Sequence, residues 1–497
     1  MSARTGAQFL QRVREHPRDL WHRGELVKDP TTHPAFRNGL QSLATLYDLQ
    51  WQRQGDMLYP SPATGEPVGL SFMIPHTLDD LRRVSRMMKV WADQHFGFLG
   101  RTPDYLNRAT AYYASGADFL GSDERAFADH MRRYYEYLRD NDLCLTHTLI
   151  NPQANRAVGP AQQADPYLAA RVVQETDGGI VIRGARMLAT LPAVDEIMVF
   201  PSTLLRNTEE DAPYCYAVAL PCDTPGLRFL CRETVDYGRS HFDHPLGSRF
   251  EEIDAVVVFH DVFVPWERVF VYRNVERANR AYAATGAIAG MAHQVIVKNI
   301  AKTEFFLGLA SLIVDTIAIE SFQHVQEKVA EMWIYLETMR GLLRAAEADA
   351  EVDAYGAVRP AWPPLDAARN LYLRWYPRLV EIIQQLSASG IVATVTEADL
   401  RQPALAEDIR RYFQAARAEA YDRLPLFRLA WDATLSAFAA RQAQYERFFF
   451  GDPVRMAGMI FQTHDRQAYM QRVQGFLRAM KEEALTGQPS TPGTDAS

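Results

Sequence analysis

The sequence predicts an α+β protein, mostly α, with its helical and sheet layers segregated. Three observations carry this. Apolar residues recur at helical spacing from about Gly6 to Asp142, the apolar runs between Thr146 and Val271 are short and β-branched, and helical periodicity returns after Val275. Strands and helices do not alternate, so a parallel βαβ sheet is not expected.

In the first part, Leu81, Val84, Met87, Met88 and Trp91 follow the cap signal Thr77-Leu-Asp-Asp. A second amphipathic helix is expected after Ser122, where Asp123 and Glu124 suit a helix start, running through Tyr134-Tyr-Glu-Tyr. The middle part contains Gly179-Ile-Val-Ile, Ile197-Met-Val-Phe, Tyr214 to Leu220, Leu227-Arg-Phe-Leu and Ala255-Val-Val-Val-Phe. Turn clusters such as Asp177-Gly-Gly and Asp223-Thr-Pro-Gly separate these runs, as in antiparallel strands.

The last part predicts two long helices between Ala278 and Ala350, broken near Asp315, with Trp333, Leu336, Met339 and Leu343 as an apolar stripe. Pro360-Ala-Trp-Pro-Pro364 interrupts, and helices follow over Asp366–Ser387, Ala404–Arg417 and Leu426–Phe449. The expected division is therefore a helical part over 1–145, a β part over 146–277, a helical bundle over 278–486 and a disordered tail over 487–497.

Of the 497 residues 47% are hydrophobic and 23% charged, which excludes wholesale disorder and fibrous classes. The net charge of −8 argues against a nucleic-acid partner, which would ask for a basic footprint. Cys144, Cys215, Cys222 and Cys231 form no CxxC pair, so zinc-ribbon and thioredoxin-like sites are not expected. Met1 to Arg14 has no apolar signal core, and Phe305–Ile319 carries Asp315 and falls short of the ~20 residues that cross a bilayer. The expectation is a soluble, cytoplasmic protein without a membrane partner.

GxGxxG, GxxxxGK[ST], HExxH and GxSxG are all absent from the sequence. Gly286-Ala-Ile-Ala-Gly290 reads as close helix packing, and His241 with His244 lie in a turn that does not suit a metal, so no metal site is expected.

Three segments concentrate polar groups among apolar neighbours. In Gly100-Arg-Thr-Pro-Asp-Tyr-Leu-Asn107, Arg101 and Tyr105 share one face if a helix begins at Pro103; alone this reads as a helix start. In Leu145 to Arg156, His147 stands with Asn151, Gln153, Asn155 and Arg156 at the helix-to-strand boundary, where ligand sites tend to form. Thr190, Ser202 and Thr203 offer hydroxyls on strand-like segments and alone are ordinary β residues.

Taken together these segments resemble a family. Gly100-Arg-Thr-Pro-Asp-Tyr, Asn151-Pro-Gln with Arg156, Leu188-Ala-Thr-Leu, Pro245-Leu-Gly-Ser-Arg-Phe-Glu-Glu-Ile-Asp254, Val264-Pro-Trp-Glu-Arg-Val, His293-Gln-Val and Asp29-Pro-Thr-Thr-His-Pro are similar to the oxygenase components of two-component 4-hydroxyphenylacetate 3-monooxygenases. The resemblance runs in order from about Gly6 to Leu485, and it is the order and spacing that make it specific.

The resemblance implies an acyl-CoA-dehydrogenase-like fold: an N-terminal helical domain, a central antiparallel β-barrel and a C-terminal bundle that forms a homotetramer. It implies reduced FAD as a diffusible cosubstrate, O2, a separate NAD(P)H:flavin reductase as partner, and a phenolic substrate hydroxylated ortho to its hydroxyl through a flavin C4a-hydroperoxide. 4-Hydroxyphenylacetate is the first expectation, and 4-coumarate, chlorophenol, nitrophenol or a carrier-bound tyrosyl group are alternatives.

By the same resemblance, Arg101, Tyr105 and His147 are the catalytic, phenol-binding trio. Ser202 and Thr203 hold the far end of the substrate. Asn151, Gln153, Ala154, Asn155, Arg156, Thr190, Gly451, Asp452, Pro453, Val454 and Arg455 contact flavin. His147 suits the phenol-side base because an ordinary imidazole titrates near ~6.5. A flavin dehydrogenase of the acyl-CoA type would instead need a carboxylate base, where this sequence offers Arg, Tyr and His.

Overall fold

The computed structural model describes residues 2–121, 126–200 and 205–487. Chain contacts group into two compact units, Met1–Arg447 and Phe448–Ser497.

The first unit is built on a ten-stranded sheet. Its path runs through Val269–Tyr272, Tyr216–Pro221, Glu196–Val199, Leu145–Ile150, Gly179–Leu188, Ala255–Pro265, Leu227–Cys231, Asp19–His22 and Glu25–Leu26, and Arg171–Thr176 also pairs with Gly179–Leu188. Every strand expected from the β-branched runs is present. Two expectations are corrected.

The sheet is mixed, not antiparallel: Leu145–Ile150 runs parallel to Glu196–Val199, with His147 opposite Met198, and Asp19–His22 runs parallel to Leu227–Cys231. It is also open and not a closed barrel, because among the described residues the end strands Val269–Tyr272 and Glu25–Leu26 do not meet. Helix Phe127–Asn141 covers the first of these edges, with the Tyr134 ring tilted 5.2 Å from that of Phe270 and a ring nitrogen of His130 3.2 Å from the Val269 carbonyl oxygen. A covered edge needs no barrel closure.

The helices follow the apolar spacing. Helix Leu78–Gln94 starts in a capping box between Thr77 and Asp80 and buries Leu81, Val84, Met87, Met88 and Trp91. Each such side chain contributes ~1.5–3 kcal/mol when fully buried. The Ser122-Asp123-Glu124 start lies outside the described residues.

Helix Ala287–Thr316 is apolar nearly all round and runs through the helical layer, packed against helices Leu78–Gln94, Pro103–Ser115, Gln323–Ala348 and Trp362–Ser387. It stops next to Asp315, where the break was expected. Gly290 permits its contact with helix Pro103–Ser115: a Cβ there would lie 2.4 Å from the Tyr112 ring. The stripe on Gln323–Ala348 is corrected. Val325, Met332, Leu336, Met339 and Ala346 face inward, while Trp333 is half exposed, one residue off the face that Leu336 and Met339 define.

Downstream, Trp362–Ser387 begins with prolines in its first turn, Ala406–Tyr412 is shorter than expected, and the last predicted helix divides into Ala420–Thr434 and Ala437–Phe448. In the second unit, Asp452 caps helix Pro453–Thr463 by accepting the Arg455 N–H, and helix Gln467–Thr486 follows. Residues 488–497 of the expected tail lie outside the described residues. Among the described residues no helix is long and apolar enough to cross a membrane.

Candidate active site

The site forms where helix Pro103–Ser115 meets strand Leu145–Ile150. Pro103 occupies the first turn, so its missing N–H costs nothing there. Gln294 from helix Ala287–Thr316 donates to both Thr102 Oγ1 and Asp104 Oδ1 at 3.2 Å, locking the helix start. Burial raises the Asp104 carboxyl to about 6.

One turn apart, Arg101 and Tyr105 share a face: the guanidinium carbon lies 5.6 Å from the phenol ring centre. Burial opposes the charge of Arg101, and Tyr445, Tyr105 and Glu252 more than restore it. Tyr105 is buried, and burial lifts its phenol above the ordinary value against the opposing pull of Arg101.

His147 comes from the sheet. Alternation along the strand ties its neighbours away from it: Thr146 Oγ1 donates to the Thr190 carbonyl and Thr148 Oγ1 to the Met187 carbonyl, both at 2.6 Å. The imidazole instead meets Tyr105, ring centres 5.8 Å apart, and Phe200 at 6.2 Å. Its Nδ1 is buried and has no hydrogen-bond partner among the described residues. Such an atom costs stability unless a ligand satisfies it. Burial first, then the Arg101 charge, push His147 well below its ordinary value, so the ring is neutral at neutral pH. The expected ordinary titration of His147 near ~6.5 is thus corrected: its value is depressed in the folded protein.

The chain leaves this strand directly into the expected flavin segment. Asn151 is half-buried with its Oδ1 enclosed and without a partner among the described residues, whereas Gln153, Ala154, Asn155 and Arg156 are exposed. Asn155 holds the loop by accepting the Ala157 N–H at 3.0 Å and, at its carbonyl, the Gln163 amide at 2.8 Å. A polar loop presenting amides, a guanidinium and an orphaned buried oxygen fits a large ligand rich in hydrogen-bonding edges, as a flavin is. Thr190 is buried and hydrogen-bonded through its carbonyl to the strand that carries His147.

Gly451, Asp452, Pro453, Val454 and Arg455 belong to the second unit, where Gly451 takes a positive φ of 112° and Asp452 to Arg455 open a helix. Ser202 and Thr203 lie outside the described residues.

Sequence reasoning missed the floor of the site. The Glu252 carboxylate accepts the Gly100 N–H at 2.9 Å and the Arg101 N–H at 3.1 Å. Tyr445 lies beneath the Arg101 guanidinium, 5.2 Å from it, and 4.3 Å from that of Arg441. Gly100 is required by this approach, since a Cβ would fall 2.2 Å from the Tyr445 ring. Deeper still, Glu446 accepts from Lys298 at 2.6 Å and Lys302 at 2.5 Å, all three fully buried. Of these, only Gly100, Arg101 and Glu252 stood in recognisable motifs; a tyrosine some 340 residues from Arg101 sends no local signal.

His241 and His244 are structural. His241 Nδ1 pairs with Ser248 Oγ at 2.7 Å, and His244 packs on Trp431. Among the described residues no group of His, Cys, Asp and Glu could hold a metal ion.

This arrangement brings a guanidinium, a phenol and a neutral imidazole together beside a polar loop. Comparison with known proteins gives the family. Residues 5–271 match the 4-hydroxyphenylacetate 3-hydroxylase N-terminal model and residues 278–478 the corresponding C-terminal model. The chain belongs to the 4-hydroxyphenylacetate 3-hydroxylase family.

It is 50% identical over 476 residues to the 4-hydroxyphenylacetate 3-monooxygenase oxygenase component of Thermus thermophilus, covering 96% of this chain and 98% of that one. A crystal structure of the oxygenase component of a 4-hydroxyphenylacetate 3-monooxygenase complexed with FAD and 4-hydroxyphenylacetate superposes with a TM-score of 0.92 at 49% identity, over 98% of this chain and 100% of that one. A 4-hydroxybutyryl-CoA dehydratase from N. maritimus shares the fold at a TM-score of 0.86 and 19% identity, over 100% of this chain and 98% of that one. The fold is therefore that of these oxygenase components, with an open mixed sheet in place of the expected barrel.

Proposed function

We propose that this protein is the oxygenase component of a reduced-flavin-dependent monooxygenase that converts 4-hydroxyphenylacetate to 3,4-dihydroxyphenylacetate. The observation that carries the reading is the buried, unsatisfied Nδ1 of His147 beside Arg101 and Tyr105, in a chain half identical to such an oxygenase component.

Arg101 offsets the negative charge that grows on the phenol oxygen, in a site dry enough for that charge to matter. Tyr105 orients the same oxygen, and neutral His147 accepts its hydrogen bond or proton at Nδ1. A more phenolate-like ring is richer in electrons at its ortho carbon, which gains a hydroxyl and loses a proton. Asn151, Gln153, Ala154, Asn155, Arg156 and Thr190 of the first unit would hold FAD. Gly451, Asp452, Pro453, Val454 and Arg455 of the second unit are assigned to flavin contact by family resemblance alone. Reduced FAD, when bound, supplies the electrophilic oxygen derived from O2. Ser202 and Thr203 would receive the substrate carboxylate.

The finer assignments belong to the same proposal. A separate NAD(P)H:flavin reductase delivers the reduced flavin. The chain works as a homotetramer, which the exposed Leu312, Trp333 and Ile334 on the long helices support. Four unpaired cysteines suit the cytoplasm. The functional parts are 1–145, 146–277 and 278–486.

A coupled assay with reductase across 4-hydroxyphenylacetate, 4-coumarate, tyrosine and chlorophenols tests the substrate. Fastest catechol formation from 4-hydroxyphenylacetate supports the reading, and preference for another phenol reassigns it.

A further inference from the structure

Arg101 has to hold a buried guanidinium at one point although it lies in a loop before a helix. Its backbone is anchored by a carboxylate. The fully buried carboxylate of Glu252 grips two successive N–H groups, those of Gly100 at 2.9 Å and Arg101 at 3.1 Å. Charge-assisted bonds to backbone N–H groups are roughly twice as strong as neutral ones.

The same carboxylate also accepts from Arg441 Nη1 at 3.3 Å. Arg441 in turn donates to Asp254 at 2.7 Å and to the carbonyl of Ala189 at 3.0 Å, the residue before Thr190. Its guanidinium lies 4.3 Å from the Tyr445 ring that also underlies Arg101. One network thus touches the loop carrying Arg101 and the segment carrying Thr190.

We infer that Glu252 is a positioning residue for phenol recognition, setting the place of Arg101 through the Gly100–Arg101 backbone, with Arg441 tying that carboxylate to the Ala189–Thr190 segment. This rests on the phenol-binding reading of Arg101 above.

The test is discrimination between two ligands that differ by the phenol oxygen alone. Dissociation constants for 4-hydroxyphenylacetate and for phenylacetate are measured by calorimetry on the full-length protein with reduced FAD under nitrogen, for wild type, Arg101→Met, Glu252→Gln, Glu252→Asp and Arg101→Met/Glu252→Gln. Glu252→Gln should lower the preference for 4-hydroxyphenylacetate about 10-fold, the equivalent of one hydrogen bond to a charged group, and leave phenylacetate binding within about twofold. In the Arg101→Met background it should have no further effect on preference.

Unchanged preference in Glu252→Gln, equal weakening of both ligands, or additive effects in the double variant would overturn the inference while leaving Arg101 in place. Unchanged preference in Arg101→Met would instead remove the reading beneath it. Glu252→Asp keeps the charge and withdraws it by one methylene. If Glu252→Gln does not fold, a loss of preference in Glu252→Asp confined to 4-hydroxyphenylacetate supports the inference, and wild-type preference overturns it.

Discussion

The rings of Tyr105 and His147 face each other at 5.8 Å across the seam between a helix and a strand. The helix delivers a donor, the loop before it a charge and the strand an acceptor, and no element alone forms the site. Replacing His147 by Ala should leave the fold and reduced-flavin binding intact. Product formation should fall by roughly 10²–10⁴-fold, with NADH consumption continuing as hydrogen peroxide. Peroxide and catechol yields per NADH check this; wild-type yields in a merely destabilised protein would make His147 structural.

Because His147 is already neutral near pH 7, its titration should not shape activity there. Its folded value is depressed, so any loss of product yield through its protonation comes well below pH ~6.5. A pH profile of product per NADH showing a limb near ~6.5 that disappears in His147→Gln would contradict the neutral-acceptor assignment.

Gly100→Ala places a methyl carbon 2.2 Å from the Tyr445 ring, so ring or loop must move. Overpacking of this kind costs ~1–3 kcal/mol. Thermal unfolding should show that loss, and the Michaelis constant for the phenol should rise as Arg101 is displaced. Wild-type stability and kinetics would mean the loop is slack.

The buried carboxylate of Glu446, despite its desolvation, is held down at about 2 by Lys298 and Lys302. A folded value below the unfolded one stabilises the protein fully above the unfolded value, and the gain fades as pH falls from about 4.5 toward 2. The shift is worth on the order of 3 kcal/mol. Glu446→Gln should flatten that part of the stability–pH curve, and lower stability at pH 7 by ~3–5 kcal/mol by stranding two buried lysines. Denaturant unfolding at several pH values reads both effects.

The sequence was most legible where spacing alone decides structure. Leu81 to Trp91 announce their helix because one face must be buried, and the break beside Asp315 is visible as an interruption of a long apolar run. The Arg101 and Tyr105 pairing follows from helical geometry once Pro103 begins the helix.

What stayed hidden depends on distant partners. Asp19–His22 is too short to show alternation, and it is a strand because Leu227–Cys231 offers it an edge. Trp333 reads as core yet sits one step off the buried stripe. Glu252, Arg441 and Tyr445 meet Arg101 only after the chain has folded back on itself.

The most direct measurement supplies the protein with a flavin reductase, NADH, FAD and 4-hydroxyphenylacetate under ¹⁸O2, and analyses the product by mass spectrometry. The expected product is 3,4-dihydroxyphenylacetate with one ¹⁸O atom in its new hydroxyl, formed only when oxygenase and reductase are both present. Absence of labelled catechol, with all consumed NADH recovered as hydrogen peroxide, would contradict it.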